Sequence, residues 1–558
     1  MASHVSWRRA RSIAPLLALA LTAAVIPFVA CGTTPAGPAT SDGSTVGPDA
    51  TSTVTPVGDA APDAASEDGA TPDAESPADA ADAEPPTPPV PGQITLDPSR
   101  SFDGYLSDVF TWLDSRGKPR SAALVRNTAR DPSGYTGGYL RQLTYEKPDG
   151  TAMTVKGGRP DHPGWGYTIN HLNGTGNLWS SLYQFGTYRQ VLLGPHHVIH
   201  EFAFDATGWP NGPVTIVLHW FFATGKDHPL WSVTYDMTRA PADRLDSDDR
   251  APYGDLAFEN GTGGTVDGVA WGDAYKFKTT GPGPVLNSSP WDYSQPNRIP
   301  YVHMWNNSTD SEMGSVQTVD FTTKDAGGTW LYNNWGRTSA NKVVGPGSPA
   351  TQTMPIDWNW PYQLNQYEIS SGETRSKRMA WGLRRGAVGS RLYDAYGDQR
   401  QVSGYPYQSH SNYLVLGAKS AGAVAAQVAE IEASLDSTLV ATRGAVRRAG
   451  PEGIARTASA PYAFAGWNAV YGVWEIDADA QGAVSLTVTP GAGGLHRPVF
   501  VIHGFKGAAV PSTITLGTET LRRDVDFFPS LVRSTGTLWL TLGRDVTAPT
   551  PLVVTSAP

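Results

Sequence analysis

Short β-prone segments separated by turn residues constrain the fold of this chain more than any other feature. From about residue 95 onward they are rich in Val, Thr, Ile and aromatic residues and are bounded by Gly, Pro, Asn and Asp. Residues 212–223 (GPVTIVLHWFFA) and 537–543 (TLWLTLG) are typical examples. Only residues 420–435 (SAGAVAAQVAEIEASL) carry apolar residues at helical spacing. The pattern predicts an all-β protein with one helix and argues against an alternating α/β sheet.

The predicted helix suggests how this β-rich region is organised. Residues 95–417 hold 14 of the 18 tryptophans, and the evenly spaced strands of 451–558 match the size of an immunoglobulin-like sandwich, which is about 100 residues. We therefore expect a large β-supersandwich domain at 95–417, a linking helix within 418–450 and a smaller immunoglobulin-like β-sandwich. In size and composition the first part resembles the galactose-mutarotase-like supersandwich of secreted carbohydrate-active proteins. That resemblance implies an architecture rather than an activity.

The N-terminus has the pattern of an exported, lipid-anchored protein. Three arginines precede an apolar run in residues 1–30, which predicts a secretory signal peptide. The segment 28–32 (FVACG) resembles the lipobox of bacterial lipoproteins, and Cys31 is the only cysteine of the chain. The resemblance implies acylation of Cys31 and anchoring in an outer membrane. An ordinary signal peptide followed by an incidental cysteine is the alternative.

The next segment predicts an acidic tether. Residues 32–90 contain 11 acidic residues and 11 prolines but no Lys, Arg or aromatic residue, so they lack the apolar surface that folding requires. We assign 31–94 as a disordered tether. Residues 91–558 carry 39 basic and 41 acidic residues, so the net charge of −10 comes mainly from the tether. A nearly neutral body argues against a nucleic-acid partner, and no cofactor is implied.

A histidine-rich stretch is the first candidate for chemistry. Residues 161–200 contain five histidines beside Tyr, Asn and Arg. In residue types this stretch resembles polysaccharide lyases that use His and Tyr as base and acid, with Arg or Asn neutralising the uronate carboxylate. The resemblance implies His171 or Tyr188 as the base or acid and Arg189 and Asn170 as neutralising groups, with Tyr167 as a further candidate.

Two other kinds of site compete with the lyase interpretation. His196 and His200 are weak candidates for a metal site, which His219 or His228 could complete from neighbouring strands. Asp255 and Glu312 are candidates for the carboxylate pair of a glycosidase. Hydrogen-bonded polar side chains without a catalytic role would also explain the histidine-rich stretch.

Aromatic residues interleaved with amides indicate carbohydrate binding. Indole and phenol rings stack on sugar rings while amides and carboxylates bind the hydroxyl groups. The candidate stacking residues are Trp165, Trp179, Trp335, Trp358 and Trp360. The sequence therefore predicts a surface lipoprotein whose partner is an extracellular polysaccharide, most readily a lyase-like enzyme. The alternatives are a non-catalytic glycan-binding or adhesion protein and a glycoside hydrolase.

Overall fold

A computed structural model describes most of the chain after residue 89. The described ranges are 90–102, 104–126, 137–157, 164–172, 178–181, 184–206, 213–236, 238–239, 247–259, 267–271, 299, 301–318, 377–378, 407–447 and 466–556. Pro85–Pro558 form one compact unit. In the part of the chain so described, no helix has the length and hydropathy that a membrane-spanning segment needs.

Among the described residues, seventeen strands precede the helix. They are β1 (Thr95–Phe102), β2 (Tyr105–Leu113), β3 (Pro119–Val125), β4 (Leu140–Glu146), β5 (Ala152–Lys156), β6 (Trp165–Leu172), β7 (Leu178–Ser180), β8 (Thr187–Leu193), β9 (His197–Ala206), β10 (Val214–Ala223), β11 (Leu230–Asp236), β12 (Ser247–Phe258), β13 (Gly268–Trp271), β14 (Tyr301–Asn306), β15 (Ser311–Gln317), β16 (Lys377–Arg378) and β17 (Tyr407–Gly417).

In the described part of the chain after helix α1 (Ala423–Asp436) there are eleven further strands. They are β18 (Thr438–Arg443), β19 (Ala445–Val446), β20 (Trp467–Asn468), β21 (Val473–Asp477), β22 (Val484–Thr489), β23 (Val499–His503), β24 (Thr513–Leu516), β25 (Glu519–Arg522), β26 (Phe527–Val532), β27 (Thr537–Leu542) and β28 (Thr550–Val554). The predicted all-β class with one helix is confirmed.

The strands before the helix form two large antiparallel sheets. The nine-stranded sheet has the order β1-β2-β3-β4-β5-β12-β6-β7, with β16 beside β12. The eight-stranded sheet has the order β13-β14-β15-β17-β11-β10-β9-β8. Aromatic side chains join the two sheets: the Trp165 ring packs edge-on against Trp220, and Phe110 stacks on Phe222 with ring centroids 5.0 Å apart. The two sheets therefore pack face to face, as the sequence predicts for residues 95–417.

The strands after the helix form two smaller sheets. One has the order β18-β22-β28-β24-β25 and the other β19-β21-β23-β27-β26, with β20 beside β21. In β22, buried Val484, Leu486 and Val488 alternate with half-buried positions, which is typical of a strand with one covered face. These sheets lie within the same compact unit as the first two, so the division into separate domains stays a prediction.

The eight-stranded sheet is covered on both faces. Along β10, Trp220 and Phe222 face the nine-stranded sheet, whereas Phe221 contacts Trp539 of β27. Because successive strand residues point to opposite faces, a strand between two packed layers must be apolar at nearly every position. That requirement explains why residues 214–223 are apolar at every position except Thr215 and His219, and why all but one of the ten are buried.

Helix α1 packs at the C-terminal end of β17. Its buried residues Val424, Val428 and Ile431 have the spacing of one helix face. Gly422 precedes the first turn with φ +62°, a conformation that glycine adopts readily. The carboxylate of Glu312 in β15 accepts a hydrogen bond from the backbone N–H of Val424 (2.9 Å) and so caps the helix N-terminus. The helix predicted at 420–435 is confirmed; it begins three residues later and ends one residue later than predicted.

Candidate functional site

The structure separates Tyr188 and Arg189, two residues of the predicted lyase site. They are neighbours in β8 and point to opposite faces of the sheet. Tyr188 donates a hydrogen bond to Asp108 between the two large sheets. Arg189 donates through Nε to Glu201 (2.8 Å), whose other oxygen bonds with buried His219. These two predicted catalytic groups therefore do not share one site.

Tyr188 belongs to a small polar cluster inside the sandwich. The guanidinium of Arg126 lies 5.1 Å from the centre of the Tyr188 ring, and Arg126 also pairs with Asp108. His200 packs edge-on against Tyr188 and against Phe110, with centroid distances of 4.4 and 5.5 Å. Neither His200 nitrogen has a hydrogen-bond partner in the described structure. Burial lowers the pKa of His200 to about 3, so its imidazole is neutral near pH 7.

Trp165 and Tyr167 are core residues, which corrects the surface roles expected of them. Trp165 is fully buried, with Trp220 and Trp231 at centroid distances of 5.8 and 6.1 Å. Tyr167 is also fully buried and packs against Tyr253. Because successive side chains of a strand point to opposite faces, the ring of Trp165 points into the space between the sheets. Because both rings are buried, neither is accessible to a polysaccharide.

Several predicted residues lie outside the described part of the structure. The backbones of Asn170 and His171 are in β6 and that of Trp179 is in β7, where Asn170 pairs with Trp179, but the side chains of all three lie outside the described part. Trp335, Trp358, Trp360 and Cys31 lie entirely outside it. Their assignments stay predictions.

The histidines suggested as metal ligands face different surroundings. His196 bonds through Nδ1 with Thr224 (3.2 Å) and through Nε2 with Asp524 (3.0 Å) at the contact with the C-terminal sheets. His200 is enclosed by aromatic rings on the other face. Among the described residues no group of three or more His, Cys, Asp or Glu side chains could hold a metal ion. The proposed pairing of His196 with His200 is therefore not supported by their placement.

The suggested glycosidase pair is divided between two sheets. Glu312 in β15 is buried; beyond capping α1, it also bonds with His303 at 3.2 Å. Asp255 lies in β12 of the nine-stranded sheet, where its backbone pairs with Arg378 and its side chain is outside the described part. Because Glu312 already bonds with the backbone of α1 and with buried His303, it is a helix-capping residue in this structure.

A cavity of about 500 Å³ lies where the two large sheets meet α1 and the C-terminal sheets. We call it the junction cavity. Turns at strand ends supply one side, through Arg116, Arg120, Tyr145, Asp227 and His228. Helix α1 supplies a second side, and the segments at 493–496 and 545 supply a third. Loops carried on rigid sheets are a common position for binding residues.

Arg120 is the centre of the polar wall. Its guanidinium donates through Nη1 to the backbone oxygen of Leu416 (2.8 Å) and lies 3.5 Å from His228 Nδ1. The carboxylate of Asp114 is 3.5 Å from Arg120 Nε. The same guanidinium lies 4.9 Å from the centre of the Tyr145 ring. A cation, an imidazole and a phenol therefore line one side of the cavity.

Burial determines the protonation of this wall. Desolvation raises the pKa of Tyr145 to about 12, and desolvation together with the charge of Arg120 lowers the pKa of His228 to about 3. Burial alone would raise the pKa of Asp227, but Arg120 and a hydrogen bond from Ser115 hold it below its usual value. Near pH 7 the wall therefore carries a neutral phenol, a neutral imidazole, a carboxylate and a guanidinium.

The side of the cavity formed by α1 consists mostly of small apolar residues. Ala423, Ala426, Gln427 and Glu430 line the cavity at the spacing of one helix face. Glu430 is already paired with Lys226. The side chain of Gln427 is buried, and its Nε2 has no hydrogen-bond partner in the described structure. A buried polar atom without a partner costs free energy.

Sequence reasoning missed the junction cavity because its residues come from many distant turns. The segment Asp227–His228 before Pro229 and the alanine-rich helix are visible in the sequence. Their meeting depends on how four sheets stack, which no local pattern encodes. Compared with protein-family models and with curated proteins, the chain matches none.

Proposed function

We propose that this protein is a surface lipoprotein that binds an extracellular polysaccharide, and that the junction cavity holds one or two of its sugar units. The cavity supports this proposal because its volume lies within the range of about 300–1,000 Å³ that is typical of small-ligand sites. It also combines a small-residue wall with a few buried polar groups, an arrangement that suits the apolar face and the hydroxyl groups of a sugar ring.

The polar wall of the junction cavity is the observation that carries the proposal. Arg120, Tyr145, Asp227 and His228 line one side of the cavity, and the small residues of α1 line another. Sugars present several hydroxyl groups over a small area. Each hydrogen bond between such a hydroxyl and the polar wall would contribute about 0.5–1.5 kcal/mol.

β-Elimination at the same cavity is a second candidate function, favoured by the proximity of Arg120 to both Tyr145 and His228. In such a lyase step, the His228 imidazole would take the C5 proton of a uronate while the C4–O bond breaks and a C4=C5 double bond forms. The Tyr145 hydroxyl would give its proton to the leaving oxygen. The carboxylates of Asp114 and Asp227 already balance Arg120, which is why binding of a neutral sugar ranks first.

The envelope location rests on the N-terminal sequence. An acylated Cys31 would hold the chain in the outer membrane, and the acidic segment 31–94 would separate the β-sheets from the lipid surface. The galactose-mutarotase-like architecture, the immunoglobulin-like C-terminal sandwich and a location on the cell surface are parts of this same proposal.

A panel of soluble polysaccharides tests the proposal on the full chain carrying Cys31→Ser, which cannot be acylated. Affinity electrophoresis should show retardation by at least one neutral polysaccharide, and Tyr145→Phe with Gln427→Leu should reduce it. Retardation by none of the panel would refute binding. A rise in ultraviolet absorbance from unsaturated uronates, lost in His228→Ala, would establish elimination instead.

A further inference from the structure

One buried ammonium group joins three sides of the junction cavity. Lys226 lies in the turn between β10 and β11, next to Asp227 and His228 of the polar wall. Its Nζ donates to the carboxylate of Glu430 in α1 and to the backbone oxygen of His496 (2.9 Å). Glu430 and His496 line the second and third sides of the cavity. All three sides therefore meet at Lys226.

The turn that carries Lys226 is fixed to the large sheets. The backbone oxygen of Lys226 accepts a hydrogen bond from Nε1 of Trp112 (2.8 Å), whose ring is fully buried and packs against Phe222. The carboxylate of Asp227 accepts one from the backbone N–H of Ser115 (2.9 Å). The side chain of Lys226 is itself only 10% exposed. The ammonium group is therefore held by a well-anchored part of the fold.

Apolar packing attaches the other two sides of the cavity without fixing their positions. Helix α1 is attached through Val428 and Ile431, and the third side is attached through Leu495, all of which belong to one apolar core. Apolar attraction is non-directional, so it does not define a distance between two groups. A charge-assisted hydrogen bond does define one, because it is strong only over a narrow range of length and angle. Lys226 makes such bonds with both sides at once.

An ion pair that only stabilises the fold is the simpler interpretation of Lys226, but the energetics of burial do not favour it. The cost of removing an ammonium and a carboxylate from water is about equal to their attraction, so a buried pair adds little net stability. Such a pair can instead select one arrangement of the groups around it. Both acceptors of Lys226 belong to residues that line one cavity, where a single arrangement favours ligand binding.

We propose that Lys226 is a positioning residue of the junction cavity, a role that deepens the proposed function and rests on it. The ammonium group holds α1 and the segment 493–496 at the separation from the polar wall that the sugar requires. Lys226 acts through Glu430 and His496, because these two residues line the cavity and Lys226 does not. Loss of the ammonium group should widen the range of separations between the sides and weaken binding, while the sheets stay folded.

Two variants separate positioning from stability, in the full chain carrying Cys31→Ser. Lys226→Met keeps most of the apolar stem but leaves Glu430 unpaired. Lys226→Met combined with Glu430→Gln also removes that carboxylate, so it leaves no unpaired buried charge to destabilise the fold. Lys156→Met is the matched control, because Lys156 pairs with Glu259 (3.9 Å) and neither of these residues lines the cavity. The urea midpoints of the double variant and of the control should equal that of the parent chain.

Nitroxide labels measure the separation between the second and third sides. Ala425 of α1 and Ala492, next to the third side, are exposed and do not line the cavity. Both can be replaced by cysteine for labelling, because Cys31 is the only cysteine of the natural chain. Spin-resonance spectroscopy should give a distance distribution that is at least about twofold wider in both Lys226 variants than in the parent chain. Lys156→Met should leave the distribution unchanged.

Affinity electrophoresis measures the consequence for binding. The probes are hydroxyethylcellulose, xyloglucan and galactomannan, which are soluble neutral polysaccharides. Each probe that retards the parent chain should bind both Lys226 variants at least about tenfold more weakly and Lys156→Met equally well. An unchanged distance distribution or an unchanged affinity in both Lys226 variants overturns the positioning role. Retardation of the parent chain by none of the probes refutes the proposed function, and the distance distribution alone then decides whether Lys226 positions the sides of the cavity.

Discussion

Replacing His200 with phenylalanine should make the protein more resistant to acid. His200 is buried among Phe110 and Tyr188, and neither ring nitrogen has a hydrogen-bond partner in the described structure. Its pKa is about 3 in the folded protein and 6.5 in an unperturbed histidine. As the pH falls, the unfolded chain therefore binds this proton first. The stability that neutral His200 supports is complete above pH 6.5 and is lost between about pH 6.5 and pH 3.

The magnitude follows from the difference between the two pKa values. Each pH unit in that window removes about 1.4 kcal/mol, so His200 alone accounts for roughly 5 kcal/mol over the whole window. Phenylalanine has no proton to bind and also removes two unpaired polar atoms from the core. We expect His200→Phe to change the free energy of unfolding at pH 7.5 by less than about 2 kcal/mol. Its dependence on pH below 6.5 should be weaker than that of the wild type by about 1.4 kcal/mol per unit.

Urea unfolding at several pH values between 7.5 and 5 measures both quantities, in the full chain carrying Cys31→Ser. His200→Leu serves as a second variant because it also lacks a titrating group but packs differently. Both variants should lose the same part of the pH dependence, whatever their stability at pH 7.5. If both retain the wild-type slope, His200 does not stay neutral in the folded protein, and the reasoning from its burial is wrong.

Replacements at four other positions give specific expectations. Trp165→Ala should destabilise the fold by about 3–5 kcal/mol in urea unfolding, because it empties the space between the large sheets, whereas glycan affinity of the folded variant should stay unchanged. Glu312→Ala should cost about 2 kcal/mol by removing a buried helix cap, and Glu312→Gln should cost less. Burial alone would raise the pKa of Glu201, but His219 and Arg189 lower it to about 2. The loss of unfolding free energy caused by Glu201→Gln should therefore become smaller as the pH falls from 4.5 toward 2. Over this range the wild-type carboxylate becomes protonated and no longer stabilises the fold. Cys31→Ser should move the protein from the membrane fraction to the soluble fraction, as an immunoblot of fractionated cells would show.

The sequence predicts the fold class because the responsible signals are local. The apolar run of residues 214–223 belongs to a strand covered on both faces, and the pattern at 420–435 forms α1. Each signal depends on spacing along a single segment, which side-chain periodicity encodes directly. Neither signal shows which layers cover the two faces of β10, because that depends on the stacking of sheets from distant parts of the chain.

The predicted grouping of Tyr188 with Arg189 is wrong because side chains alternate between the two faces of a strand. Tyr188 and Arg189 look like one constellation in the sequence, but consecutive strand residues face opposite layers. The histidines of β9 follow the same rule: His197 bonds with Ser530 and Thr541 of the C-terminal sheets, whereas His200 enters the first sandwich. Residues that are close in the sequence of one strand can therefore lie on opposite faces of the sheet, and these groups are separated in space.

The stacking of the four sheets also explains where a site can form. The interiors between layers are filled by large aromatic and aliphatic side chains, and polar groups there are paired with neighbours or neutral by burial. Space for a ligand remains at the strand ends, where turns of the large sheets approach α1 and residues 493–496. The C-terminal sheets supply Gly493, His496 and Asp545 to that space, so they complete the junction cavity as well as covering the second face of the eight-stranded sheet. A ligand in this cavity would contact residues from both large sheets, from α1 and from the C-terminal part of the chain at once, and its binding should therefore stabilise the fold as a whole.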